Sequence, residues 1–231
     1  MNPNENTDQS AIVIWLTALE GASFETYRNE PTAGAEIRLP LAPAALADAL
    51  TREATREGVE PKLLRLCAWK YLGRFAPFEW IPLGEDYTFE EANLLAAAVM
   101  HNPEIDCGVL FEYCDLREIY DPIEYLNVAL QYDALPYRKW SNPLDLKEIG
   151  MDFLTPHEAC DLQLGWEMAG KDTARDRDDM SVDELIELGK DEGESRDLVV
   201  WRYGYMDLYE GEIDTAKYSK EQILTTLFPN A

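Results

Sequence analysis

The apolar positions of the N-terminal third follow the two-residue period of short strands, with one helix among them. Ala11–Leu19 is a continuous run of β-favouring residues and Ala35–Leu41 alternates between apolar and polar side chains, so both are predicted strands. Pro43–Glu57 is a predicted helix that stops at Gly58, because proline fits a first helical turn and glycine fits a helix end. The pattern of Lys62–Tyr71 is compatible with a third strand or with a short helix.

The middle of the chain has the apolar spacing of helices, and two of these helices have a recognisable start. Thr88 and Glu91 have the spacing of a capping box, and the helix that they start is expected to end before Asn102. Asp121 followed by proline predicts a second capped start. A short helix is expected between them, over Gly108–Tyr113.

The last third mixes helical and strand patterns. A helix is predicted over Leu144–Leu154, ended by Pro156, and a second helix runs through Trp166. A capping box at Ser181–Glu184 starts a third helix, which is predicted to end near Gly189. A strand over Asp197–Tyr205 and a helix over Lys220–Leu227 follow. We therefore predict an α+β protein of small modules in series. Residues 1–83 form an N-terminal module of antiparallel sheet plus helix, 84–135 an acidic helical module, and 136–231 a mixed α/β C-terminal module.

Charge changes this picture more than any other property of the chain. Forty-five Asp and Glu residues face twenty Lys and Arg, which gives a net charge of -25 over 231 residues. Residues 84–133, called the acidic segment below, contain twelve carboxylates and a single Lys or Arg, Arg117. These carboxylates are the candidate partner-binding residues: Glu85, Asp86, Glu90, Glu91, Glu104, Asp106, Glu112, Asp115, Glu118, Asp121, Glu124 and Asp133.

A strongly negative protein is a poor ligand for nucleic acid or for an anionic membrane, because both attract positive charge. The composition favours a basic protein as partner. Four scattered cysteines are typical of a reducing compartment, the polar N-terminus lacks the features of a signal peptide, and no apolar run is long enough to span a bilayer. We therefore expect a cytoplasmic protein.

Metal, cofactor and catalytic motifs are weak in this sequence. His157 and Cys160 have a zinc-like spacing, but no Cys-x2-Cys pair accompanies them, and the acids of 172–183 do not match a calcium loop. No Gly-x-Ser-x-Gly, His-Glu-x-x-His or glycine-rich phosphate loop is present. We therefore expect no enzyme activity, no cofactor and no metal, although a hydrolase with two carboxylates in a pocket stays open as an alternative.

The acidic segment coincides with predicted helices rather than with a tail. Carboxylates three or four residues apart on a helix project about 5–6 Å from one another. Phosphates along a DNA strand are spaced on a similar scale, and a duplex carries a charge every ~1.7 Å of its axis. Rigid acidic helices are therefore expected to imitate rows of phosphates and to occupy the positive groove of a DNA-binding enzyme. The alternative interpretation is a surface charge that serves solubility alone.

The order of several segments resembles the ArdA-type antirestriction proteins, which are acidic DNA mimics of mobile genetic elements. The matching stretches are IVIWLTALEG, AEIRLPLAPAALADAL, WIPLGEDYTFEEANLLAAAV and DPIEYLNVALQYDALPYRKWSNPLDLKEIGMDFL, within residues 11–154. The resemblance implies an elongated, non-enzymatic protein, commonly a homodimer, that mimics bent DNA and occupies the DNA site of type I restriction–modification complexes. It carries the partner-binding role to Glu85, Asp86, Glu90, Glu91, Glu112, Asp115, Glu118, Asp121 and Glu124.

Two other functions are compatible with the same residues. The first is inhibition of another DNA-binding defence system, such as a CRISPR effector. The second is an acidic adaptor or chaperone for a basic nucleic-acid-binding protein. A mimic competes with duplex DNA for one enzyme, whereas an adaptor binds basic proteins broadly.

Overall fold

The computed structural model describes residues 10–18, 35–72, 88–171, 176–201 and 204–229. The chain divides into two compact units. The first unit comprises Met1–Tyr132 together with Asp214–Ala231, and the second unit comprises Asp133–Ile213.

The first unit contains a three-stranded antiparallel sheet. Strand β1 (Ile12–Thr17) lies between β2 (Ala35–Leu39) and β3 (Arg65–Tyr71). The side chain of Ile14 is fully buried, and Ile14 pairs with β2 on one side and with β3 on the other. The pattern of Lys62–Tyr71 was compatible with a strand or with a short helix, and the structure has the strand β3 there. The 3-10 turn Pro61–Leu63 precedes it.

Helix α1 (Pro43–Glu57) follows the sheet's second strand and confirms its predicted ends. Proline occupies the first turn, and Gly58 ends the helix in the left-handed conformation, at φ 71°. The Gly58 region closes the helix because its backbone N–H groups reach the carbonyls of Ala54 and Thr55.

Three helices follow in the first unit: α2 (Phe89–His101), α3 (Cys107–Leu116) and α4 (Pro122–Leu130). The predicted starts of α2 and α4 are confirmed, and α3 extends beyond the predicted range at both ends. Helix α2 packs against α4 and against the C-terminal helix α7 (Lys220–Leu227). Its residues 92–99 are all buried, so α2 forms the centre of this helical layer.

The second unit pairs two helices with a small antiparallel sheet. The helices are α5 (Pro156–Met168) and α6 (Val182–Ser195). The strands are β4 (Tyr137–Lys139), β5 (Leu198–Trp201) and β6 (Gly204–Asp207), in the order β4-β6-β5. The 3-10 turns Tyr132–Ala134 and Arg177–Asp179 complete the elements.

The predicted end of a helix near Gly189 is wrong, because α6 continues to Ser195. Gly189 is instead a contact point between two helices. A Cβ placed on Gly189 would lie 2.0 Å from the carbonyl oxygen of Asp161 in α5, and one on Gly165 would lie 1.8 Å from the carbonyl oxygen of Leu185 in α6. The two glycines therefore allow the backbones of α5 and α6 to touch.

The predicted helix over Leu144–Leu154 is also wrong, since this stretch consists of turns. The Asp145 carboxylate accepts hydrogen bonds from the amides of Lys147 and Glu148 and so begins a single turn. Gly150 ends it at φ 73°. Pro156 begins α5 rather than ending a helix, with Thr155 as its capping residue.

The single strand predicted over Asp197–Tyr205 is two strands, β5 and β6, which pair with each other. Val199 lies opposite Met206 in this pairing. Gly204 begins β6 where the backbone of β4 approaches closely, since a Cβ there would lie 2.3 Å from the carbonyl oxygen of Arg138. The predicted run therefore contributes to two paired strands rather than one.

The predicted α+β class is confirmed, with an antiparallel N-terminal sheet, a helical middle and a mixed C-terminal region. The predicted boundary at residue 83 falls in 73–87, outside the described residues. One difference is that residues 214–231, which were assigned to the C-terminal module, belong to the first unit. None of the helices in the described part of the chain has the length and apolar character that a bilayer span requires.

Candidate partner-binding surface on the helical segment

Three helices of the acidic segment begin on polar side chains that satisfy their first amides. The Thr88 hydroxyl accepts from the Glu91 amide, and the Glu91 carboxylate accepts from the Thr88 amide at 2.9 Å. Asp106 accepts from two amides of α3, and Asp121 accepts from two amides of α4. Because these carboxylates neutralise the positive ends of helices, Glu91, Asp106 and Asp121 are fixed in place by the local structure.

Each of these helices contributes apolar side chains to a buried layer. Leu95, Leu110 and Leu126, one from each helix, are fully buried. Asn127 of α4 is also fully buried, and its side chain binds the backbone of Tyr218 in the segment before α7. The carboxylates on the outer side of α2, α3 and α4 are therefore carried by a packed scaffold.

The remaining carboxylates of the acidic segment face solvent in most cases. Six are exposed and Glu112 is partly buried. The exposed ones are Glu90, Glu104, Asp115, Glu118, Glu124 and Asp133. Asp133 belongs to the second unit, and the other five belong to the first. Glu85 and Asp86 lie outside the described residues.

Like charges come together at the C-terminal end of α3, in a group that we call the α3 cluster: Glu112, Asp115, Glu118 and Tyr120. Partial burial and the charge of Asp115 both raise the pKa of Glu112. The charge of Asp115, and to a smaller extent that of Glu118, raises the pKa of the Tyr120 phenol, whose oxygen lies 3.4 Å from Asp115 Oδ1. Neighbouring negative charge is thus the main cause of the shift at Tyr120 and the second cause, after burial, at Glu112.

Arg117, the single Lys or Arg of the acidic segment, lies beside this cluster in sequence. Its guanidinium carbon is 5.8 Å from the centre of the Tyr113 ring, a cation–π distance. Leu116 and Tyr120 are 40% and 59% exposed, so apolar surface accompanies the carboxylates at this end of α3.

Lys220 is a residue of this surface that sequence reasoning missed. It lies at the first position of α7, and its ammonium is 3.2 Å from Glu91 Oε1 and 3.3 Å from Glu90 Oε2. Burial acts to lower the pKa of Lys220, but the hydrogen bonds and charges of both glutamates outweigh burial and raise it. A lysine at the positive end of a helix is locally unfavourable, and that conflict is the sequence signal for a tertiary partner.

Lys220→Gln is expected to lower the free energy of unfolding by about 0.5–1 kcal/mol at neutral pH. Burial acts to raise the pKa of Glu91, but the bonds from Thr88 and the contact with Lys220 lower it overall. A carboxylate with a lowered pKa stabilises the fold above its unfolded pKa, and this contribution is lost as pH falls through the folded pKa. The deficit of the variant should therefore shrink in acid.

Urea unfolding at several pH values measures this effect. Lys62→Gln is the matched control, because its ion pair with Glu60 joins side chains that are 76% and 68% exposed. Equal stability losses in the two variants at neutral pH would show that Lys220 is an ordinary surface lysine.

Other chemistry is sparse in the described ranges. No group of three or more His, Cys, Asp or Glu side chains is placed there to hold a metal ion. Burial raises the pKa of the Cys114 thiol far above its usual value, which keeps it in the unreactive protonated form. His157 lies 4.0 Å from Asp161 within α5, and Cys160 is buried.

An open depression of about 460 Å³ lies within the second unit. Its lining includes Glu167, Lys171, Asp176 and Arg177, two acids and two bases. The Ser141 hydroxyl lies 2.8 and 3.0 Å from the two oxygens of Glu167. This balanced charge contrasts with the acidic segment, so the depression has no evident relation to a basic partner.

The twelve predicted carboxylates thus have different surroundings. Glu91, Asp106 and Asp121 accept hydrogen bonds at helix starts, Glu90 and again Glu91 contact Lys220, and Glu112, Asp115 and Glu118 lie in the α3 cluster. Glu104 and Glu124 are exposed elsewhere on the first unit, Asp133 is exposed in the second unit, and Glu85 and Asp86 lie outside the described residues. Comparison with protein-family models, with curated proteins and with solved structures finds no match to this chain.

Proposed function

We propose that this protein is a DNA-mimic inhibitor, which binds the DNA-binding groove of a host defence enzyme, in the first instance a type I restriction–modification complex. The observation that carries the proposal is the display of exposed carboxylates on capped helices above a buried core. The resemblance of the sequence to ArdA-type antirestriction proteins supports the choice of target.

Rigidity is what separates such a surface from an acidic tail. A flexible polyanion loses conformational entropy when it binds, whereas side chains on packed helices have already lost most of that entropy on folding. Glu112 and Asp115 are three residues apart on α3 and therefore project from the same face. The helices hold negative charge at fixed positions, as a DNA backbone does.

Charge density provides the second support. The charge of Asp115 raises the pKa of the Tyr120 phenol and, after burial, adds to the rise at Glu112, so the potential at this end of α3 is negative. A partner with a positive groove is attracted to that potential. Association is then steered by long-range attraction, so it should be fast at low salt and weaken as salt rises.

The capping and ion-paired carboxylates have a smaller part in this proposal. Glu91, Asp106 and Asp121 accept hydrogen bonds from helix amides, and Glu90 and Glu91 contact Lys220. The surface offered to a partner is therefore centred on the α3 cluster, and Glu104 and Glu124 are further exposed carboxylates of the same unit. The inhibitor is proposed to act without enzyme activity or cofactor, and as a homodimer by analogy with the resembling family.

The proposal predicts that neutralising four exposed or partly exposed carboxylates abolishes inhibition and leaves the fold intact. The variant combines Glu112→Gln, Asp115→Asn, Glu118→Gln and Glu124→Gln, and so avoids the caps. Surface charge pairs contribute about 0.2–1 kcal/mol each, so four of them amount to about 1–4 kcal/mol, or roughly fivefold to nearly a thousandfold in affinity. Inhibition of DNA cleavage by a purified type I complex measures the loss.

A matched control changes the same number of exposed carboxylates in the second unit. It combines Glu148→Gln, Asp152→Asn, Asp191→Asn and Glu194→Gln, all at exposed positions. The control should retain inhibition, because none of the carboxylates removed belongs to the acidic segment. Equal loss in both variants would indicate an effect of total charge, and full inhibition by the first variant would refute the proposed surface.

A further inference from the structure

The second unit contains a buried carboxylate that lacks a hydrogen bond to one oxygen. Asp161 lies within α5 and is only 4% exposed. Its Oδ2 atom is buried and has no hydrogen-bond partner among the described residues. A buried, ionised oxygen in this state is costly, because it has lost water without gaining a donor.

Asp161 also lies at the crossing of α5 and α6. Its carbonyl oxygen is the atom that a Cβ on Gly189 would approach to 2.0 Å, so the backbone of α6 comes into direct contact with this residue. The free-energy cost of burying the Asp161 carboxylate therefore falls at the contact between the two helices.

Charged groups from both helices face this carboxylate. From α5, His157 Nε2 lies 4.0 Å from Asp161 Oδ2, and Glu158 is nearby. From α6 come Lys190 and Glu187, which are hydrogen-bonded to each other at 3.0 Å. Burial raises the pKa of Asp161, and the opposing charges of His157 and Lys190 only partly reduce that effect.

We propose that Asp161 is a pH-sensitive lock on the α5–α6 crossing, which is tight while its carboxyl group is protonated and looser once the proton has left. The proton makes the carboxyl group neutral and so removes the charge from the buried oxygen that has no hydrogen-bond donor.

The direction of the pH effect follows from the raised pKa of Asp161. Between the unfolded and the folded pKa, the native state holds a proton that the unfolded chain has released. The stability of the α5–α6 pair therefore falls as pH rises through this window, and the full penalty is present above the folded pKa. The lock operates whether or not the first unit binds a DNA-binding enzyme.

Hydrogen exchange of the full chain tests the lock, read from peptides within 156–195 between about pH 4 and about pH 7, upward from the pKa of an unfolded aspartate, and corrected for intrinsic exchange. Asp161→Asn keeps the shape and removes the charge. Its protection relative to wild type should be greatest at high pH and should decline as pH falls, by up to about tenfold per pH unit within the window. Asp191→Asn, an exposed position on the same α6 helix, is the control and should show no such trend.

A pH-independent effect of Asp161→Asn, or a trend equal to that of Asp191→Asn, would overturn the proposal.

Discussion

Gly165→Ala is expected to destabilise the second unit severely, because α5 and α6 leave no room for a methyl group. A Cβ at this position would lie 1.8 Å from the carbonyl oxygen of Leu185 and 2.7 Å from its carbonyl carbon. Both atoms belong to the backbone of α6, so no side-chain rotation relieves the clash. The helices must separate, and separation exposes the shared apolar core, which includes Leu162 and Ile186.

Two opposing energies determine whether Gly165→Ala stabilises or destabilises the second unit. Alanine favours a helix over glycine by about 1 kcal/mol. Overpacking costs about 1–3 kcal/mol when side chains can adjust, and more when backbone must move. We therefore expect a net loss of about 3 kcal/mol or more, measured by urea unfolding followed by far-ultraviolet circular dichroism.

Gly193→Ala, on the same α6 helix, is the matched control. A Cβ there would lie 3.6 Å from Leu164 Cδ2 and 3.8 Å from the carbonyl oxygen of Leu198, which is ordinary contact. This variant should be neutral or more stable by up to about 1 kcal/mol. If the two variants were equally stable, the close helix crossing described here would be wrong.

Asn127→Leu is expected to release the C-terminal helix from the first unit. The Asn127 side chain donates to the carbonyl of Tyr218 at 3.0 Å and accepts from its amide at 2.8 Å, while it is itself fully buried. Leucine has a similar size but can satisfy neither group. Each buried group left without a partner costs about 1–3 kcal/mol, so the total loss is expected to be about 2–5 kcal/mol.

The loss should be accompanied by faster hydrogen exchange across 214–229, because Tyr218 immediately precedes the cap of α7. Asn127→Asp distinguishes a lost amide from a change of size. An ionised Asp offers no donor to the Tyr218 carbonyl, whereas a protonated one can donate, so this variant should recover stability as pH falls.

Gln131→Met serves as the control for Asn127. Gln131 Nε2 donates to the carbonyls of Asn127 and Asp214 at 3.0 and 2.8 Å, but the contact with Asp214 is exposed. Water can replace a bond of that kind, so the expected loss is below about 1 kcal/mol. A loss as small as this in Asn127→Leu would show that Asn127 does not hold the C-terminal segment.

Helix starts were the most predictable features of this chain, because their signals are local. Thr88, Asp121 and Ser181 each accept the backbone bonds that their spacing predicted. A cap requires only residues within one turn, so no knowledge of the tertiary structure is needed.

The wrong predictions have a different cause, which is packing between residues far apart in the sequence. Gly189 satisfies the local rule for a helix end, yet the helix continues because the glycine contacts α5. Leu144, Leu146 and Leu154 lie in a stretch that was predicted to be helical, but they pack from irregular backbone and turns onto the α5–α6 core. In each case tertiary packing, which pattern alone does not report, determines the outcome.

The candidate surface was predictable as a segment but not as a set of side chains. Counting charges identified residues 84–133, since acids there outnumber bases so strongly. It could not tell that Glu91 would be only 13% exposed, or that Lys220, 129 residues further along the chain, would contact it. Only a folded arrangement separates carboxylates that serve the helices from those offered to a partner.

Displacement of labelled duplex DNA from a type I restriction–modification complex measures the proposed function most directly. DNA mimicry predicts that the protein and the duplex exclude each other, that displacement weakens steeply as salt rises, and that the variant neutralised at Glu112, Asp115, Glu118 and Glu124 fails to displace the duplex. Binding of the protein to the complex without displacement of DNA, or undiminished displacement by the neutralised variant, would contradict the account.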